Sequence, residues 1–175
     1  LIVTINGSAN TDTIALDNGT SIAGEDAIQV SGTVDGFTME TAFVRDAGTL
    51  NILTAAGDDT LTINGATNAH NVTNLTLNTG TDTDSIAVSG SATVSGTMIL
   101  TTTGIIADSG AGGTLSADSL KLDSGTGVGT SGNVIDTAVT TLSAQASTSG
   151  GVFVTETDGL TIGTVDSFSG LTATD

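Results

Sequence analysis

Apolar and polar residues alternate along most of this chain, and Gly, Asn, Asp or Ser interrupts the alternation every few residues. Short apolar stretches fall at residues 2–5, 14–16, 28–30, 37–39, 43–44, 50–53, 61–63, 75–77, 86–88, 98–100, 120–122, 134–142, 152–154 and 160–162. A period of two sends successive side chains to opposite faces of a pleated strand, so these stretches predict β-strands with one face toward a core. The residues between them are those of tight turns. No segment has helical periodicity with caps, and essentially no helix is expected.

A five-residue pattern recurs within this alternation: Asp, a small residue, an apolar residue, any residue, an apolar residue. It stands as Asp12-Thr-Ile-Ala-Leu16, Asp35-Gly-Phe-Thr-Met39, Asp59-Thr-Leu-Thr-Ile63, Asp84-Ser-Ile-Ala-Val88, Asp118-Ser-Leu-Lys-Leu122 and Asp158-Gly-Leu-Thr-Ile162, with a weaker copy at Asp136-Thr-Ala-Val-Thr140. The first four Asp positions are 23, 24 and 25 residues apart; the later steps are 34, 18 and 22. A period in this range marks a stacked array. Each unit reads as a turn closed by Asp followed by a strand whose two apolar residues point inward; Lys121, between Leu120 and Leu122, is expected to face water. The predicted fold is all-β: a parallel β-helix, or β-solenoid, of about seven or eight coils with roughly 18–25 residues each, some 35–40 Å long. Residues 1–175 form a single continuous solenoid segment, since no linker or composition break divides them. A β-sandwich array is the competing architecture, with strands every ~8–12 residues. The lack of Trp, Tyr and Pro and the shorter period oppose it.

Composition sharpens the picture. The chain has 37 % hydrophobic residues but only four Phe and no Trp or Tyr, which suits a thin core of Ile, Val, Leu and Ala. Thr and Val fit a pleated surface because their β-branched side chains are already stiff. Nineteen acidic residues face two basic ones, Arg45 and Lys121, for a net charge of −17. That balance opposes nucleic acid and anionic membranes as partners and favours cations or a basic partner. There is no Cys, hence no disulfide and no thiolate metal site. Neither a signal peptide nor a long apolar span is present in the sequence, and its opening Leu-Ile-Val-Thr-Ile reads as a processed product or a segment of something longer.

The stretches Gly113-Thr-Leu-Ser-Ala-Asp-Ser-Leu-Lys-Leu122, Gly132-Asn-Val-Ile-Asp-Thr-Ala-Val-Thr-Thr-Leu-Ser-Ala144 and Gly151-Val-Phe-Val-Thr-Glu-Thr-Asp-Gly-Leu-Thr-Ile162 resemble the repetitive β-helical shafts of giant bacterial surface proteins similar to filamentous haemagglutinin-like adhesins. Ala56-Gly-Asp-Asp-Thr-Leu-Thr-Ile63 looks like a repeat unit of the same class of exported proteins. The resemblance implies a right-handed parallel β-helix and an extracellular, cell-surface location.

The residues offer several candidate chemistries. Asp12, Asp35, Asp58, Asp59, Asp82 and Asp84 place carboxylates at turns near one coil period, and such a column would relieve its repulsion by binding calcium through oxygen ligands. The opposing reading is that these Asp residues shape turns. Thr-x-Thr triplets begin at residues 11, 60, 81, 101, 155 and 172, but their irregular spacing argues against an ice-binding ladder. Two basic side chains 76 positions apart, and no Trp or Tyr platform, argue against polysaccharide cleavage. His70, the single His, reads as an exposed turn residue, and Asn-x-Ser/Thr triplets at Asn6, Asn18, Asn71 and Asn74 are expected from composition. The ends show no capping helix, Pro or Lys, so end-to-end self-association, or flanking coils of the same polypeptide, are the expected partners. The expected function is a non-enzymatic shaft segment of an extracellular bacterial filament, adhesin or sheath. The alternative is a calcium-dependent module binding a host or cell-surface ligand.

Overall fold

The structure is a computed structural model describing residues 1–21, 23–67, 71–110 and 112–174; His70 lies outside the described residues. Along the chain the strands are β1 (Ile2–Asn6), β2 (Thr13–Thr20), β3 (Asp26–Val34), β4 (Phe37–Thr38), β5 (Ala42–Val44), β6 (Thr49–Leu53), β7 (Thr60–Ile63), β8 (Asn74–Asn78), β9 (Ser85–Val88) and β10 (Ala92–Thr93). They continue as β11 (Thr97–Thr102), β12 (Ile105–Asp108), β13 (Thr114–Ser124), β14 (Gly127–Val128), β15 (Ile135–Ala146), β16 (Val154–Glu156), β17 (Thr161–Ile162), β18 (Thr164–Val165), β19 (Phe168–Ser169) and β20 (Leu171–Ala173). No helix occurs among the described residues.

The strands coil into a parallel β-solenoid of about five turns. One sheet runs in the order β1-β6-β8-β11-β13-β15-β16, with β17 and β20 also on the edge of β15. The other runs β14-β12-β9-β7-β2-β3-β4. A shorter third face stacks Ala66, Ala92, Leu115, Thr137 and Glu156. Strand alternation produces these faces directly. In β7, Leu61 and Ile63 are buried while Thr60 and Thr62 lie outward.

Register pairing turns the inward residues into rows. Val3, Leu50, Leu75, Met98, Leu120, Leu142 and Ile162 form one, and Ile5, Ile52, Leu77, Leu100, Leu122, Ala144 and Leu171 another. Ile14, Leu61, Ile86, Ile106 and Val128 form the opposing row. Each fully buried Leu or Ile contributes about 1.5–3 kcal/mol from area removed from water. No Phe is among the buried core residues. This parallel stacking excludes the sandwich alternative.

The coil count differs from the expected seven or eight, for two physical reasons. First, Ile14 pairs with Leu61, a step of 47 residues, about two coil lengths. The intervening chain does not coil. β3 runs antiparallel to β2, and β4 and β5 run antiparallel to β3, so residues 26–44 extend the second sheet beyond its first coil. This excursion is a cap that the sequence reading did not foresee. Second, the chain after β15 returns to the same edge as three short strands, β16, β17 and β20. Ordinary coil steps do fall in the expected range: the first row advances by 25, 23, 22 and 22 residues from Leu50 to Leu142.

The five-residue pattern does not mark one face. Asp12, Asp59 and Asp84 precede strands of the second sheet, whereas Asp118 lies within β13 of the first and Asp158 precedes β17 there. A turn into an inward–outward–inward strand has the same local requirements on either face, which accounts for the 34-residue step from Asp84 to Asp118. Lys121 points outward as expected but is largely covered: its side chain is 13 % exposed, 3.4 Å from Asp166 and 3.5 Å from Asp123. Asp166 belongs to the antiparallel β18–β19 hairpin, packed near β13 and β15.

Candidate functional site

The corner leading into the second sheet gathers the six predicted Asp residues. Asp12, Asp59 and Asp84 each stand just before β2, β7 and β9 and are 0 %, 1 % and 4 % exposed. Their carboxylates knit successive coils together. Asp12 N–H donates to Asp59 Oδ1 at 2.7 Å, and Asp59 N–H donates to Asp84 Oδ1 at 2.9 Å. Asp35, at the β3–β4 turn of the cap, adds a third rung by donating its N–H to Asp12 Oδ1 at 2.9 Å. The cap therefore imitates the coil that would lie beneath β2, which explains why Asp35 matches the sequence period without beginning a coil.

Asp58 and Asp82 flank this ladder on its exposed side. Thr83 N–H donates to Asp58 Oδ1 at 3.1 Å, and Gly57 N–H donates to Asp82 Oδ2 at 3.1 Å. An open hollow of about 720 Å³ adjoins Asp58, lined in part also by Asn10, Thr11, Asp35 and Gly57. These contacts are the turn-shaping bonds expected of Asp at a corner. Among the described residues no group of three His, Cys, Asp or Glu side chains is placed to hold a metal ion.

The carboxylates are not equally served. Asp12 accepts from Ser8 N–H at 2.6 Å and from the Ser8 hydroxyl at 2.9 Å in addition to Asp35. Asp84 Oδ2 lies 3.0 Å from the Thr103 hydroxyl, which also reaches Asp82 O at 2.6 Å. Asp59 Oδ2 is buried with no hydrogen-bond partner. Burial pushes the Asp59 carboxyl above its ordinary value; the Thr54 hydroxyl and Asp12 N–H oppose this, and the Asp12 and Asp84 carboxylates reinforce it. Glu156, on the third face, goes the other way. Its burial is outweighed by hydrogen bonds from the Thr137 hydroxyl and the Thr157, Val139 and Asp158 N–H groups, so its carboxyl sits below the usual value.

A second row of polar side chains, not foreseen from sequence, lies inside the same corner. Thr54, Thr79, Thr102 and Ser124 are buried. The Thr54 hydroxyl donates to Thr79 O at 3.0 Å, Thr79 Oγ1 donates to Thr102 Oγ1 at 3.0 Å, and Ser124 Oγ lies 2.6 Å from Gly104 O. The signal was available: an apolar residue, any residue, then Thr or Ser ends β11 and β13 and spans the end of β6 and β8, as Ile52-Leu-Thr54, Leu77-Asn-Thr79, Leu100-Thr-Thr102 and Leu122-Asp-Ser124. The Thr-x-Thr triplets occupy different places in the coil. Thr60 and Thr62 face outward between Thr13 and Ala15 on one side and Ser85 and Ala87 on the other, while Thr102 points inward. Both basic side chains sit against carboxylates, Arg45 with Glu25 and Asp46, and Lys121 with Asp123 and Asp166. Comparison with known proteins finds no matching family model, no matching curated protein and no matching solved structure.

Proposed function

We propose that this chain is a non-enzymatic shaft segment of an extracellular bacterial filament, adhesin or sheath, lengthened by coil stacking. The distribution of exposed apolar surface carries the reading. Among the described residues the exposed large hydrophobics are Leu1, Ile2, Phe37, Phe43, Phe153, Leu160, Ile162 and Leu171. All eight lie in or directly beside β1, the cap or the last strands, so among the described residues the coils between have no exposed large hydrophobic. The inward rows run out at both ends, at Val3 and Ile5 and at Ile162 and Leu171, where a further coil would continue them. Polar outward rows and a net charge of −17 oppose side-by-side aggregation. Flanking coils of the same polypeptide, or further copies stacked end to end, are the partners this chemistry fits. The resemblance of the C-terminal half to haemagglutinin-like shafts adds the cell-surface setting.

Electron microscopy of the purified protein at rising salt tests the reading. Thin unbranched rods with an axial repeat near ~4.8 Å are the expected outcome. Compact single particles under all conditions would rule out the stacking of separate copies. The second reading is a calcium-dependent module for a cell-surface ligand, and repeating the imaging with calcium and then chelator separates the two.

A further inference from the structure

Resting on the shaft reading, we propose that the two ends of this solenoid are a matched pair, so that a second copy of this chain docks head to tail, its β1 joining β17 and β20 and its cap filling the step beside β14. The two sheets are offset along the stack. β1 and β2 belong to one coil, yet β3, and then β4 and β5, extend the second sheet two strands beyond it. At the other end β13 and β14 belong to one coil, yet β15, and then β17 and β20, extend the first sheet two strands beyond it. The second sheet adds only a single bridge there, from Val128 to Val152. Each end is therefore a step, with opposite sheets projecting, and one step fits the other.

Direction and register agree with this fit. β4 and β5 run antiparallel to β3, which runs antiparallel to β2, so two reversals return the outermost cap strands to the direction of the coil. The outermost strands of both sheets are thus oriented to take a parallel neighbour. In the first sheet, Thr161 and Ile162 pair with Thr141 and Leu142, and Leu171 and Thr172 pair with Ala144 and Gln145. The same places in the coil are held at the other end by Ile2, Val3, Ile5 and Asn6. A docked β1 sets Val3 on Ile162 and Ile5 on Leu171, which continues both inward rows, while the β18–β19 hairpin leaves the edge between them. Ile162 and Leu171, now 45 % and 49 % exposed, gain the coil they lack. A head-to-head pair of like sheets would hold its two β1 edges apart by the projecting strands of both caps. A head-to-head pair of unlike sheets would set β1 antiparallel against β4 and β5 and end the rows. Head-to-tail contact is heterologous, so it repeats copy after copy when the rotation does not close. Each copy carries a net charge of −17, so salt favours the joint by screening their repulsion.

The chain has no Cys, so single Cys probes report the polarity of the joint. Ile2 and Thr161 are exposed, outward residues at opposite ends of one row. In a docked pair their Cα atoms come about 4.7–4.9 Å apart, inside the ~4.4–6.8 Å that a disulfide spans. Ile2→Cys and Thr161→Cys are oxidised separately and as an equal mixture, over a range of salt, with the parent's association followed by sedimentation. The mixture is expected to form disulfide-linked dimers on the order of 100-fold faster than either variant alone, because docking raises the effective thiol concentration from micromolar to millimolar. The double variant should give a ladder of linked oligomers that reduction collapses. Ile2→Cys alone linking as fast as the mixture would mean head-to-head pairing and overturn the proposal. So would a parent that associates while the mixture forms no link; both results leave the shaft reading standing. A parent that never associates overturns the proposal together with the stacking of separate copies.

Discussion

Flank and end of this solenoid are cut from the same strands, yet they present opposite chemistry. On the flank, each inward residue has a coil above and below it, and the outward rows that meet water are mostly Thr, Asn, Ser and Asp, with Leu53, Ile99 and Ile105 only partly exposed. At the ends the same inward rows lose a neighbour, so Val3 and Ile5 are only half-buried and Ile162 and Leu171 are exposed. Surface character here is therefore a matter of position in the stack rather than of local composition. The two ends also manage their strand edges differently. At the N-terminal end the second sheet is covered by antiparallel β3–β5 while β1 is outermost in the first sheet. At the other end the edge is broken into β16, β17 and β20, with the β18–β19 hairpin inserted between the last two. Broken or covered edges resist indiscriminate pairing. The chain's two basic residues serve these devices. Arg45, just after β5, pairs with Glu25, just before β3, and Lys121 pairs with Asp166 at the hairpin turn.

The comparison can be broken at the flank or at the ends, with different consequences. Leu61→Asp buries a charge in the middle of the opposing row, where Leu61 is fully buried. It should cost about 4 kcal/mol or more, read as a fall in the denaturant midpoint, and an unchanged midpoint would refute this register. The paired change Ile162→Lys and Leu171→Lys alters only exposed end residues and should abolish association while shifting melting little. The same charge on the flank, at Thr76→Lys, should leave both association and stability unchanged to within ~0.5 kcal/mol. Lys121→Ala removes the cation beneath the hairpin. Loss of roughly 0.5–1 kcal/mol is expected, because both of its ion pairs reach solvent, with proteolysis between residues 163 and 170 as the sensitive readout. The smallest effect concerns Glu156. Its lowered carboxyl contributes stability that is present above the ordinary carboxyl range and lost as pH falls through the folded value. Glu156→Gln should therefore narrow the gap between neutral and acid melting temperatures, and an unaltered gap would count against that role.

The sequence exposed the strands and the coil length because period-two alternation and a turn residue every few positions are local signals. Pairing direction is not local. β3, β4 and β5 alternate just as coil strands do, so they were counted as coils. The clue was Asp35-Gly36, whose φ angles of 52° and 74° are those of a tight hairpin turn. β12 escaped notice because Ile105-Ile106 breaks the alternation, with one Ile outward and one inward. No Asp precedes it. Gly104 takes the corner instead, and a Cβ there would lie 1.8 Å from Asp84 O. The gathering of the six Asp residues was legible from their spacing. The unserved oxygen of Asp59 was not, because which donors reach it depends on how neighbouring coils pack at the corner rather than on any single segment.

Sedimentation velocity over a range of protein and salt concentrations, run on the parent chain beside the Ile162→Lys/Leu171→Lys variant, tests the joining of ends most directly. The account predicts a parent whose sedimentation coefficient grows with concentration and salt as elongated oligomers form, and a variant that stays at one small value. A parent that sediments as a single small species throughout, or a variant that associates as well as the parent, would contradict it.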